Sequence, residues 1–230
     1  MEWIARGIDH FQRNVFPARR DLFEALANGQ NPQVLFVTCS DSRVDPNMLT
    51  HAEPGELFHL RNAGNIIPAY GDGYGAEAAT IEYALNALGI RNIVVCGHTD
   101  CGAMKGLLYP EKLGELPAVT GWLKNSESAR RIALSSHASH NESSRMRALI
   151  EQNVLAQLVH LQTHPSVAAL LATRELNLYG WVYEIATGKV MAYSPEARRF
   201  EAVHCEHKPG QGMVACVPEF VATLGVAHGD

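Results

Sequence analysis

The chain has 230 residues, and 47% of them are apolar, which is enough to build one sizeable α/β domain around a core of its own. A formal net charge of −5 without a basic stripe excludes a nucleic-acid partner, and no run approaches the roughly 18 consecutive apolar residues of a membrane span. Met1-Glu2-Trp3-Ile4-Ala5-Arg6 lacks the basic start and apolar core of a signal peptide, so the cytoplasm is the expected compartment. Five cysteines, an odd number with no framework spacing, point to reduced thiols and a metal rather than disulfides.

Trp3, Ile4, Ile8 and Phe11 recur at helical spacing and predict an amphipathic helix over the first dozen residues. A second helix is predicted from Pro17 to about Asn28, with Pro at its start and Asn28-Gly29 at its end. Val34-Leu35-Phe36-Val37-Thr38 is a short apolar run rich in β-branched and aromatic residues, read as a strand buried on both faces. Leu57-Phe58-His59-Leu60 reads as a second strand, left by the loop Arg61-Asn62-Ala63-Gly64-Asn65. Gly71-Asp72-Gly73-Tyr74-Gly75 is a turn and not a dinucleotide fingerprint, because no strand runs into it. A helix follows from Ala76 to Leu88, ended by Gly89, and it carries Tyr83, whose role as core aromatic or functional residue is open.

Ile93-Val94-Val95-Cys96-Gly97 repeats the buried-strand pattern, with Cys96 as a core residue, and Cys101 to Leu108 should be a short helix. Residues 116–171 read as mostly helical, with a stripe of Ile150, Val154, Leu155, Leu158 and Leu161. His160 and His164 suit a helix C-terminus before Pro165 better than a metal pair, and His137 and His140 read as surface residues. Leu178 to Ile185 and Val190 to Tyr193 form strands around a turn at Thr187-Gly188, expected to finish the sheet away from the metal. His204, Cys205, His207 and Cys216 fall in a loosely docked tail, with a second metal or a redox pair as the weaker reading.

The chemistry gathers where the buried runs end. The first delivers Cys39-Ser40-Asp41-Ser42-Arg43 and the other His98-Thr99-Asp100-Cys101. In an open α/β sheet ligands bind outside the carboxyl ends of parallel strands, so Cys39 and His98 share a crevice if their strands are neighbours. Cys101 joins them from the next helical turn, and the helix's positive end favours its thiolate. Two thiolates and one imidazole suit Zn²⁺, and three protein ligands leave a fourth position for chemistry. Asp41 and Arg43, two apart on the loop, are placed to form a carboxylate–guanidinium pair that keeps Asp41 ionised and oriented.

Cys39-Ser40-Asp41-Ser42-Arg43 together with His98-Thr99-Asp100-Cys101 resembles the paired signatures of the β-class carbonic anhydrases. Pro54-Gly55-Glu56-Leu57-Phe58, Arg61-Asn62-Ala63-Gly64-Asn65, Ala79-Thr80-Ile81-Glu82-Tyr83 and Gly97-His98 follow in the same order and spacing, nearest to the bacterial and plant-type members. The resemblance covers roughly residues 1–200 and leaves a tail at 201–230 of unknown role. It implies an α/β fold with a mostly parallel central sheet flanked by helices, and an N-terminal helical arm, about 1–30, that extends onto a dimer partner. It further implies a homodimer or dimer of dimers with one Zn²⁺ per chain on Cys39, His98 and Cys101. Gln30 would line the partner's active site, and Phe58 and Tyr83 would line the substrate pocket.

The implied activity is reversible hydration of CO₂ to bicarbonate and a proton by attack of zinc-bound hydroxide. Asp41, held by Arg43 with one oxygen left free, accepts the hydroxide's proton in a hydrogen bond and aims its lone pair at CO₂. Two thiolates neutralise the ion's charge, so its water should be less acidic than the value of about 7 reached with three histidines, and activity should rise towards alkaline pH. Phe58, Ala63 and Tyr83 suit a small apolar CO₂ pocket, and Gly102 offers space or an amide beside the third ligand. Members with an inhibitory bicarbonate site carry Trp three positions and Gly one position before the first Cys ligand. This chain has Phe36 and Thr38 there, which predicts an open form with Asp41 on Arg43 rather than on zinc. The rival readings are a CS₂ or COS hydrolase of the same fold and a non-catalytic zinc-bearing subunit of a larger assembly, which leaves a bacterial microcompartment open as the location. A thiol redox protein is weaker for want of Cys-x-x-Cys.

Overall fold

A computed structural model describes residues 1–71, 75–136 and 141–203, together with the backbone of two short strands at 207–208 and 212–213. The N-terminal arm comprises α1 (Glu2–His10), a wider helical turn at Phe11–Val15, α2 (Phe16–Ala18) and α3 (Arg20–Ala27). The first helix therefore runs on past the expected dozen residues and contains Pro17 instead of ending before it. The widened turn explains this, since Phe16 N–H already reaches back five residues to Phe11 O and the ladder is out of α register when the proline arrives. None of α1 is buried: Trp3 is 70% and Ile8 53% exposed, so among the described residues Trp3, Ile4 and Ile8 are left uncovered, while Phe11 just past α1 packs on Phe16 and Phe23.

The central sheet contains β1 (Val34–Cys39), β2 (Leu57–Asn62), β3 (Asn92–His98), β4 (Asn177–Glu184), β5 (Lys189–Ser194) and β6 (Arg199–Ala202) in the order β2-β1-β3-β4-β5-β6. The pairs β1–β2, β1–β3 and β3–β4 are parallel, and β5 and β6 add an antiparallel edge. Between them lie α4 (Pro46–Thr50), α5 (Ala76–Glu82, widened at Tyr83–Ala87), α6 (Gly102–Leu108), α7 (Pro117–Leu123), α8 (Glu127–Ser136), α9 (Glu142–Leu161) and α10 (Pro165–Ala172). A two-stranded ribbon, β7 (His207–Lys208) and β8 (Gly212–Met213), follows the sheet in the chain.

Helix α4 escaped the sequence reading, although Asp45 caps it by accepting Met48 N–H at 3.1 Å and Pro46 opens it. The final hairpin also differs from expectation. Its first strand lies directly beside β3, with Tyr183 opposite His98, so only β5 and β6 lie farther from the metal strands. The sheet continues to Ala202, two residues past the boundary expected at 200, because β6 pairs with β5 from Arg199 to Ala202. His137, His140 and most of the Gly71–Gly75 turn lie outside the described residues, as do His204, Cys205, Cys216 and the side chain of His207.

Along β4, Leu178, Gly180 and Val182 are buried while Tyr179, Trp181 and Tyr183 are half-buried, the period-2 signature of a sheet with unequal faces. The buried face meets α9 very closely. A Cβ at Gly97 would lie 2.9 Å from Val154 Cγ2, and one at Gly180 2.9 Å from Leu158 Cδ1, so glycine is what lets this helix seat on β3 and β4. The main core on that side gathers Leu35, Val37, Ile93, Val95, Leu149, Val154 and Leu158, all with 0% exposure.

Candidate metal centre

β1 is the strand at which the order reverses: the chain goes from β1 to β2 on one side and returns to β3 on the other. The carboxyl ends of β1 and β3 form a topological switch point, where the backbone leaves a crevice. Cys39 ends β1, His98 ends β3, and Cys101 stands at the N-terminus of α6. Their ligand atoms all lie within 4.8 Å of one another, and all three residues are buried.

The two sulfurs are 3.9 Å apart, and Gly64 N–H donates to Cys39 Sγ at 3.3 Å. Hydrogen bonding from Cys101 is the largest influence lowering Cys39, whereas the Cys39 sulfur and burial push Cys101 up. The pair thus gives up one proton readily and holds the second until a cation replaces it. His98 Nδ1 donates to Thr99 O at 2.9 Å, which leaves the lone pair on Nε2 facing the thiols. That buried Nε2 has no hydrogen-bond partner among the described residues. A buried acceptor without a donor is costly, and a divalent ion resolves it while discharging the second thiol. The donor set therefore fits a tetrahedral Zn²⁺ site with three protein ligands.

Asp41 and Arg43 lie beside this cluster. Asp41 Oδ1 accepts Arg43 Nε at 2.9 Å and Arg43 backbone N–H at 3.0 Å, Oδ2 accepts Arg43 Nη2 at 2.8 Å, and Oδ2 is 3.9 Å from His98 Nε2. These hydrogen bonds from Arg43 hold the carboxyl well below the usual carboxylate range. Gly102 is exposed, with nothing within 4 Å of the Cβ it lacks, so space is open next to Cys101. Ala63 is exposed and immediately precedes Gly64, the donor to Cys39.

Three expected pocket residues are not brought to the cluster of their own chain. Phe58 pairs with Leu35, four residues or about 13 Å before Cys39 along the strands, and its ring is 6.0 Å from that of Tyr83, which is 51% exposed. Gln30 is exposed ahead of the amino end of β1.

Several residues that hold the centre were missed by sequence reasoning. Arg61 donates to Cys39 O (2.9 and 3.1 Å), Asp41 O (2.9 Å) and Val44 O (2.8 Å), tying down the loop after β1. Asp100 accepts Arg43 Nη1 at 2.7 Å and also pairs with Lys105. A polar stripe on α9 grips the segment after β2: Asn153 Nδ2 donates to Gly64 O at 3.0 Å, and Gln157 Oε1 accepts Ile67 N–H at 2.8 Å. His160 Nδ1 and His164 Nε2 contact Ile67 O and Pro68 O at 2.7 and 3.0 Å. His160 lies in the last turn of α9, as expected, whereas His164 stands past its end at the N-cap of α10, and burial, which lowers His164, works against its charged form. The only signal was the spacing of 153, 157 and 160, which puts three polar residues on one face of a helix otherwise read for its apolar stripe, with His164 following just past its end. Cys96 is buried at 0% exposure, and burial pushes its thiol up to about 12.

Comparison with known proteins accords with this geometry. A family model described as carbonic anhydrase matches residues 34–190. A carbonic anhydrase of Pseudomonas aeruginosa is 48% identical over 221 residues, covering 93% of this chain and 100% of the relative. The structure of the β-carbonic anhydrase CcaA superimposes with a TM-score of 0.86 at 46% identity, covering 88% of this chain and 98% of that one. One of two tetrameric β-carbonic anhydrases from Sordaria macrospora matches with a TM-score of 0.75 at 26% identity, covering 83% of this chain and 95% of the other. With the switch-point fold, the Cys-His-Cys cluster and these relatives together, the chain belongs to the β-carbonic anhydrase family.

Proposed function

We propose that the chain catalyses the reversible hydration of CO₂ to bicarbonate and a proton, with one Zn²⁺ held by Cys39, His98 and Cys101. The observation that carries this reading is the unpartnered, buried His98 Nε2 turned towards two thiols at the switch point, with an ionised carboxylate 3.9 Å away. When bound, zinc supplies the Lewis acidity that makes water ionisable near neutral pH.

The chain's own residues supply positioning. Arg43 bonds both oxygens of Asp41, where one free oxygen was expected, and this keeps Asp41 ionised at any working pH; Oδ2, with a single donor, has a lone pair left to accept from and orient a protonated nucleophile. Gly64 N–H and the loop tied by Arg61 keep Cys39 in place. Ala63 and Gly102 leave room for a substrate as small as CO₂, which needs little polar recognition. The pairing of Asp41 with Arg43 supports the open form expected from Phe36 and Thr38.

The remaining pocket residues come from a second copy. Gln30, Phe58 and Tyr83 sit towards the amino ends of β1 and β2, and α1 presents an apolar stripe of Trp3, Ile4 and Ile8 that is uncovered among the described residues. A homodimer, alone or as a dimer of dimers, covers this stripe and brings these residues to the partner's metal. The domain reading of 1–200 is kept with its sheet extended to Ala202, and the tail after it has no assigned role. Among the described residues no helix is long and apolar enough to cross a membrane, and a cytoplasmic location is proposed.

The test is stopped-flow CO₂ hydration from pH 6.5 to 9 on metal-analysed protein. The rate should rise with pH and vanish with the metal. Equal activity in zinc-free protein would overturn the reading.

A further inference from the structure

Arg43 has two edges, and only one of them faces Asp41. Its other edge is filled from the β3–α6 loop: Nη1 donates to Asp100 Oδ2 at 2.7 Å and Nη2 to Asp100 O at 3.2 Å. Asp100 holds a left-handed backbone (φ 60), a conformation that aspartate tolerates better than most residues, and it offers both its carboxylate and its carbonyl to the guanidinium. The second carboxylate oxygen pairs with Lys105, one turn into α6. The same short loop carries His98 and Cys101. The carboxylate of Asp41 is thus tied through Arg43 to the segment that bears two of the three ligands.

We propose that Asp100, braced by Lys105, is a positioning residue that clamps Arg43 and so keeps Asp41 on the guanidinium rather than on the metal. An Arg–carboxylate pair fixed at one edge only can swing as a unit about its side-chain torsions, because Arg61 holds the backbone carbonyls of this loop and neither of the two side chains. Asp41 Oδ2 is only 3.9 Å from His98 Nε2, so a small swing lets it compete with outside ligands for the ion. The clamp removes that freedom. This inference rests on the metal reading above and deepens it.

The test uses Co²⁺-substituted full-length protein titrated with azide, followed by visible absorption, beside CO₂ hydration on the zinc form. In the parent the ion takes azide freely. In Asp100→Ala, Asp41 occupies the ion part of the time, so the apparent Kd for azide rises by the inverse of the open fraction, about threefold to tenfold, and the hydration rate falls by a similar factor. Asp100→Asn keeps an acceptor and tolerates the backbone conformation, so it should fall between the two. Lys105→Met should move azide affinity the same way by a smaller factor, and it carries the test if Asp100→Ala does not fold. Azide affinity unchanged in Asp100→Ala, or in Asp100→Asn and Lys105→Met together, would overturn the clamp even if hydration or thermal stability dropped. A parent protein that takes up no Co²⁺ would instead overturn the metal reading and the clamp with it.

Discussion

Asn153 is where packing and chemistry meet most tightly. It is 1% exposed, and its amide makes three hydrogen bonds: Nδ2 to Gly64 O at 3.0 Å, and Oδ1 from Ser126 Oγ at 2.7 Å and from Gln157 Nε2 at 2.8 Å. Asn153→Ala leaves the Gly64 carbonyl without its donor, at a cost of about 1–3 kcal/mol for a buried orphan. Gln157 Nε2 already donates to Ser126 Oγ at 3.2 Å, so both groups keep one partner when Asn153 Oδ1 is lost, and the further cost is nearer to one ordinary hydrogen bond, about 1 kcal/mol. The sum of about 2–4 kcal/mol corresponds to a thermal midpoint lower by about 5–15 °C for a domain of this size. Calorimetry at fixed protein and zinc concentration measures it, since metal and subunit association move the midpoint independently. Ser126→Ala added to Asn153→Ala should cost less than the sum of the single changes, because both break the same network. Zinc should also leave faster, because Gly64 N–H shifts on Cys39 Sγ. A midpoint within 2 °C of the parent, or full additivity, would refute the view that this network holds the loop.

Gly97→Ala should destabilise by about 1–3 kcal/mol through the clash with Val154 Cγ2, and Val154→Ala should recover part of it; a neutral Gly97→Ala in denaturant unfolding would contradict the close seating of α9. Arg43→Gln releases Asp41 and Asp100, both held low first by hydrogen bonds from Arg43. Carboxylates with depressed folded values stabilise the native state above the unfolded value of about 3.9 and lose that contribution as pH falls through the folded value. The stability gap between parent and Arg43→Gln should therefore be steady above about pH 5 and close on acidification below about pH 4, as followed by urea unfolding at each pH. A gap independent of pH down to 2 would refute this. Cys96 should resist alkylation at pH 8 in native protein with or without metal, since burial raises its thiol to about 12; peptide mapping that finds it modified before unfolding would be inconsistent with its place in the core.

What was legible in the sequence was whatever announced itself locally. The apolar runs ending in Cys39 and His98 read as buried strands, and both are, because parallel central strands carry continuous apolar residues rather than an alternating pattern; that they are neighbours is given by the structure. The helix at Pro46–Thr50 was equally local but only one turn longer than its cap, so no periodicity marked it. Contacts between a side chain and a distant backbone were not legible. Arg61 binds carbonyls 17 to 22 positions away, Asn153 binds one 89 positions away, and Asp100 meets Arg43 across 57 positions. Nothing in residue type marks a carbonyl as a partner. Resemblance named Gln30, Phe58 and Tyr83; the register of Phe58, the ring of Tyr83 beside it and the place of Gln30 before β1 put them towards the end of the sheet opposite their own chain's metal ligands.

The most direct measurement is zinc content together with stopped-flow CO₂ hydration, on the parent and on Cys101→Ser. One zinc per chain, fast hydration that rises with pH, and loss of both in Cys101→Ser is the predicted result. One zinc per chain without hydration, or undiminished hydration in zinc-free protein, would contradict the assignment of Cys39, His98 and Cys101 as the reaction centre.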